Sequence, residues 1–117
     1  MAVTDPPHPG AIEDLLARLG PADRLDDFAR RHLDPIIAYD RARGTALMPT
    51  LAAYLEAGAN LEATATRLGT HRNTVRYRLR SIAGLLARDP HDPRVALELH
   101  LALRIRDALG TGGTTRD

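Results

Sequence analysis

Along most of this chain, apolar residues recur at three- and four-residue steps, the repeat of one face of an α-helix. Between Ala46 and Ala57 that face consists of Leu47, Leu51, Tyr54 and Leu55, and Gly58 supplies the stop. Asn60 is placed to cap a helix from Leu61 to Leu68, which Gly69 closes, and Thr70 to cap a longer helix from about His71 to Leu86. Asp92 and Pro93 combine a cap with a first-turn proline and open a last helix reaching about Leu109. Upstream, a short amphipathic helix is expected from about Ala11 to Leu19, ended by Gly20. Pro21 begins a second helix to about Leu33, and Asp34 followed by Pro35 begins a third that ends near Gly44. The expected fold class is all-α, a helical bundle containing a helix-turn-helix.

The last helix has a competing reading. Leu97, Leu99, Leu101, Leu103 and Ile105 alternate with other residues as a half-buried strand would. Its length, its Leu, Ala, Glu and Arg content and its terminal signals favour helix. As a helix it is apolar around most of its circumference, with His100, Arg104 and Asp107 forming a polar strip. Such a helix is buried on two sides, either as a central core helix or between its own domain and a second copy of the chain.

A short helix, a glycine turn and a helix of twice the length have the proportions of a helix-turn-helix. At 100° per residue, Val75, Leu79, Ile82 and Leu86 of the second helix form one narrow core stripe. Asn73, Arg76, Tyr77 and Arg80 lie opposite, with Arg72, Thr74 and Arg78 on the flanks. Arginine and asparagine can pair with guanine and adenine edges in the major groove, while flanking arginines and hydroxyls suit phosphates. The expected base contacts are Arg72, Asn73, Arg76 and Tyr77. The expected phosphate contacts are Thr70, Thr74, Arg78 and Arg80. Tyr77 has an alternative role, packing sideways on a neighbouring helix.

Charge sharpens this picture. The net charge is only +1, yet residues 1–40 hold eight acids against four arginines, whereas Ala63–Arg88 holds Arg67, Arg72, Arg76, Arg78, Arg80 and Arg88 and no acid. The positive field is thus concentrated around the glycine turn, and the acidic N-terminal part is unsuited to touch DNA. With 44% apolar and 26% charged residues the chain has ordinary globular composition. It contains no cysteine, so disulfides and thiol chemistry are excluded. The five histidines, His8, His32, His71, His91 and His100, show no metal-ligand spacing, and no phosphate loop or nucleophile motif occurs. No metal, cofactor, catalytic residue or small-molecule effector site is expected, and enzymatic function is the weakest alternative. No apolar run approaches a membrane span and no signal peptide opens the chain, so the expected location is the cytoplasm, with no membrane partner.

The run TLAAYLEAGANLEATATRLGTHRNTVRYRLRSIAGLL, followed by DPRVALELHLALRI, resembles the C-terminal helix-turn-helix domain of PucR-type and CdaR-type bacterial transcription regulators. NTVRYRL and LELHLALR carry most of the likeness, and Asn60–Leu79 is more distantly similar to Fis-type helix-turn-helix units. The resemblance implies sequence-specific binding of double-stranded DNA by a homodimer on paired half-sites. Two positions depart from the pattern: Thr70 stands where an apolar residue usually follows the turn glycine, and Thr64 where a small or apolar residue is usual. The resemblance also implies an upstream sensory region, for which 117 residues leave no room.

The expected organisation is a flexible leader over 1–10, a helical extension over 11–44, a DNA-binding domain over 45–110 and a flexible tail over 111–117. The extension is open to three readings: the end of a sensory domain, a dimerisation element, or added packing. The competing function is a protein-interaction module that docks a partner through the leucine-rich helix 93–109.

Overall fold

The expected break at Asp34–Pro35 is absent. In the computed structural model, which describes residues 11, 14, 15, 18 and 20–109, one helix, α1, runs unbroken from Ala22 to Arg43 with Pro35 inside it. A proline in a helix interior removes one hydrogen bond and costs about 3 kcal/mol. Here Asp34 and Pro35 both face solvent, where water can satisfy the released carbonyl. The opposite face carries Ala29, Leu33 and Ile36, buried to 3%, 0% and 0% exposure. Burying each large aliphatic side chain contributes about 1.5–3 kcal/mol, so continuity of this stripe outweighs the local stop signal. Ala11, Asp14, Leu15 and Arg18 are helical. The remainder of the helix expected there, the leader and the tail from Gly110 lie outside the described residues.

Four further helices follow: α2 (Leu47–Glu56), α3 (Leu61–Leu68), α4 (Arg72–Leu86) and α5 (Pro93–Ala108). No strand occurs among the described residues, so the chain is all-α. Helix α1 packs most extensively along α5, while α2 sits centrally and touches α1, α3, α4 and α5. Tyr54 and Leu51 of α2, Leu33 and Ile36 of α1, Leu79 and Ile82 of α4 and Leu99 of α5 are the largest side chains of the shared core.

Several helix ends follow the sequence signals. Asn60 Oδ1 accepts from the Ala63 amide at 2.8 Å, and Asp92 Oδ1 accepts from the Arg94 amide at 2.8 Å behind Pro93. Gly69 takes the left-handed conformation at φ 65°, and the Thr70 amide donates back to the Ala65 carbonyl at 3.0 Å. This closes α3 in a Schellman motif. Thr70 therefore belongs to the end of α3 and is not the cap of α4. That cap is His71, whose Nδ1 accepts from the Asn73 amide at 3.0 Å.

The start of α2 is capped from another helix. Ala46, its cap residue, offers no side-chain acceptor. The Asp40 carboxylate of α1 instead accepts from the Leu47 and Met48 amides, both at 2.8 Å, and from the Thr45 hydroxyl at 2.5 Å. Burial alone would push the Asp40 carboxyl up, but the Met48, Thr45 and Leu47 hydrogen bonds and the charge of Arg78 outweigh it and hold it below its ordinary value.

The strip expected to be polar on α5 is a further correction, although Asp107 is exposed as expected. His100 and Arg104 are half-buried, with His100 Nε2 3.8 Å from Glu56 Oε2, while Leu97 is 61% exposed and Leu101 half-buried. Packing of α5 against α1 and α2 together turns Leu97 outward.

Replacing Asp40 with Ala should lower stability by about 1–2 kcal/mol at neutral pH, the cost of losing a helix cap. Because the folded value is depressed, this contribution is complete above the unfolded value of 3.8 and is lost as pH falls through the folded one. Urea unfolding of both proteins should show the gap closing below pH 3.8, and a gap independent of pH would contradict the assignment.

Candidate nucleic-acid interface

The α3–turn–α4 unit presents one face of α4 to solvent because the other is consumed by packing. Val75, Leu79 and Ile82 are each 0% exposed, and Leu86 at the helix end is half-buried. Asn73, Arg76, Tyr77 and Arg80 emerge on the far side, all exposed, as is Arg72 at the first position of the helix. Tyr77 is 64% exposed. Its ring therefore projects with the polar residues. Thr70 and Thr74 are half-buried at the turn and in the first turn of α4. The structure thus exposes five of the eight expected site residues, while Thr70, Thr74 and Arg78 are half-buried.

Arg78 is half-buried, and its Nη1 donates to Thr50 Oγ1 of α2 at 3.1 Å. That hydroxyl in turn donates to the Ala46 carbonyl at 2.8 Å, so its one proton and one lone pair are both engaged. Thr50 itself is 0% exposed. The Arg78 guanidinium is drawn inward, towards Asp40, and braces α4 against α2 instead of projecting with its neighbours.

The remaining arginines differ in how much of their charge is committed. Arg72 Nη1 pairs with Glu62 Oε2 at 2.8 Å. Arg88 Nη1 pairs with Glu98 Oε1 at 2.5 Å, which holds the Glu98 carboxyl below its ordinary range. Arg76 meets only a neutral partner, donating to Asn73 Oδ1 at 3.0 Å. Arg67 and Arg80 are exposed and make no ion pair among the described residues.

Glu62, Thr50 and Asp40 were not singled out by sequence reasoning. Glu62 lies one residue before the acid-free window, so a count along the chain misses that the turn of the motif carries it back to Arg72. Thr50 and Asp40 lie 28 and 38 positions from Arg78, and no local pattern relates them.

The buried Thr64 departs from the usual pattern without an orphaned hydroxyl, because its Oγ1 donates to the Asn60 carbonyl at 2.6 Å. Among the described residues, no group of three or more His, Asp or Glu could hold a metal ion, and no helix is long and apolar enough to cross a membrane. A groove of about 350 Å³ runs between α1 and α5 past Leu33, Ile37, Arg41 and Arg106; no residue of α4 lines it.

Comparison with known proteins agrees with this geometry. The sequence model of the PucR C-terminal helix-turn-helix domain matches residues 47–105. The chain is 37% identical over 99 residues, 85% of its length, to the purine catabolism regulatory protein of Bacillus subtilis, of which that stretch is 18%. An uncharacterised protein of Mycobacterium tuberculosis is 47% identical over 62 residues, 53% of this chain and 15% of that protein. An uncharacterised protein of Thermomonospora curvata is 36% identical over 111 residues, 94% of this chain and 59% of that protein. The chain therefore spans less than a fifth of the first two relatives and about three fifths of the third. No solved structure matches.

Arg78 and Arg80 are two residues apart in sequence but should respond differently to removal. Arg78→Ala strips a partner from buried Thr50 and should cost about 1 kcal/mol of stability, whereas Arg80→Ala should stay within about 0.5 kcal/mol. Thermal unfolding of the two variants without DNA distinguishes them, and equal effects would mean Arg78 does not brace α4.

Proposed function

The chain belongs to the PucR C-terminal helix-turn-helix family, and from that premise we propose that it is the sequence-specific DNA-reading module of a bacterial transcription regulator, with α4 in the major groove. The family is one of DNA-binding regulatory domains. What carries the finer reading is the outward face of α4: exposed Arg72, Asn73, Arg76, Tyr77 and Arg80, with no acid on the helix, back to back with a fully dehydrated stripe. A rigid backing holds the reading residues in fixed register, and a free helix face is needed to enter a groove.

Within this proposal Arg72, Asn73, Arg76 and Tyr77 contact base edges. Thr70, Thr74 and Arg80 contact phosphate, as does Arg67 at the exposed end of α3. Arg78 serves as a brace, in place of the phosphate role its position on the wheel suggested. Glu62 has a part as well: it neutralises Arg72 in the free protein, so random duplex gains less from that charge than a site that draws Arg72 away from the carboxylate.

One reading head covers few base pairs, and a paired arrangement fits the expected half-sites. The exposed Leu97, with half-buried Leu101 one turn on, offers an apolar strip on α5 remote from the stripe of α4. We place the contact with a second copy there. Residues 45–110 form the binding domain in this reading, and the long α1 serves as added packing for it. Docking of an unrelated protein on α5 is the competing role for that strip.

Selection from a randomised duplex library should enrich a site with two-fold symmetry. Its affinity should fall linearly in log–log form with salt, and Arg80→Ala should reduce the slope by about 1 because one phosphate contact is lost. Absence of any enriched duplex would refute the reading. Leu97→Glu should abolish dimers in sedimentation equilibrium while leaving the helical content unchanged. If the wild-type chain is already a strict monomer both free and on the selected duplex, the pairing is wrong.

A further inference from the structure

Histidine is an unusual residue at the start of a helix. Asn, Asp and Ser are the preferred caps, yet His71 holds that place on α4, its Nδ1 accepting from the Asn73 amide at 3.0 Å. An imidazole nitrogen has a single lone pair in the ring plane, so a nitrogen that accepts carries no proton. In the neutral ring one nitrogen donates and the other accepts, whereas in the cation both donate. The cap bond therefore sets charge and tautomer together: His71 is neutral, with its proton on Nε2.

The two ring nitrogens point in diverging directions. With Nδ1 aimed at the Asn73 amide, Nε2–H points away from the amides of α4. His71 is exposed, and this N–H meets no acceptor among the described residues. The other described histidines differ. His32, His91 and His100 lie beside the carboxylates of Glu98, Asp89 and Glu56, at 3.7, 2.9 and 3.8 Å. His71 pairs with no carboxylate among the described residues.

The cap alone does not call for a ring. A serine would cap α4 equally well, but its hydroxyl ends where the imidazole begins, and an aspartate cap would turn a negative charge towards a duplex. Histidine adds an outward donor beyond the cap, between half-buried Thr70 and exposed Arg72. One donor discriminates bases poorly, because adenine and guanine both present N7 as an acceptor. Phosphate oxygens, by contrast, accept from neutral side chains as readily as they meet arginine, and such contacts position a protein on DNA.

Resting on the DNA-binding reading above, we propose that His71 is a further DNA-contacting residue, capping α4 through Nδ1 while its Nε2–H donates to a phosphate oxygen. The same ring is bonded to the Asn73 amide, so the contact ties the first turn of α4 to the duplex backbone and fixes how the helix enters the groove. Being neutral, it displaces no counterion, in contrast to Arg80.

The experiment measures binding of the full chain to its selected duplex across a range of salt for the wild type, His71→Ser and His71→Gly. Both replacements are tolerated at a helix start, so thermal unfolding without DNA should stay close to that of the wild type. Affinity should fall about tenfold in each, the scale of one hydrogen bond to a charged group. The loss should be equal on the selected duplex and on its single-base variants, with the log–log salt slope unchanged. Nitrogen NMR of the imidazole at mildly alkaline pH should show the proton on Nε2, free and bound. Wild-type affinity in both variants would reduce His71 to a cap and overturn the proposal. So would a slope lowered by about 1, which marks a cationic contact, a loss confined to one base position, or a proton on Nδ1. In each of these cases DNA binding itself would stand. If the wild type enriches no duplex, the DNA reading on which the contact rests is refuted, whatever the tautomer.

Discussion

The arrangement depends on a single carboxylate. Asp40, near the end of α1, accepts the first two amides of α2 and the Thr45 hydroxyl between them. Unpaired amides at a helix start are costly when removed from water, and the local cap residue Ala46 supplies no side-chain acceptor. The link therefore fixes where α2 can begin and how it lies against α1. From α2 the constraint passes on, because Thr50 in its first turn receives Arg78 of α4. The reading helix is seated on a polar relay as well as on Val75, Leu79 and Ile82.

This relay explains an apparent waste of charge. Of the arginines clustered in sequence around the glycine turn, Arg78 and Arg88 are committed to internal partners, and Arg72 shares its charge with Glu62. A surface ion pair such as Arg72 with Glu62 contributes little to stability. It does alter what a phosphate backbone meets on approach. Among the described residues, Arg76, Arg80 and Arg67 remain as cations without a carboxylate partner, so the electrostatic face is narrower than the arginine count suggests.

Much of the fold was legible because its signals are local. The Asn60 cap, the Gly69 stop and the Asp92–Pro93 start each depend on residues within a few positions, and each occurs as read. Where local signals failed, a longer-range term exceeded them. Pro35 should have ended a helix, but the stripe of Ala29, Leu33 and Ile36 against α5 gains more from continuing. Thr70 resembled a cap, but α4 begins one residue later than expected, at Arg72, and the role falls to His71. On α5 the sequence signal was ambiguous, since leucines surround the helix. Only its two packing neighbours decide that Leu97 faces out.

The sequence by itself determined the all-α class, the position of the helix-turn-helix and the division of α4 into an apolar stripe and a polar face. These follow from periodicity and capping, which act over one or two turns. Tertiary structure alone decided which polar residues are available: Arg78 inward on Thr50, Glu62 returned to Arg72, Asp40 capping a helix not its own. Such pairings join residues 7 to 28 positions apart in sequence, and they form only once the helices have packed.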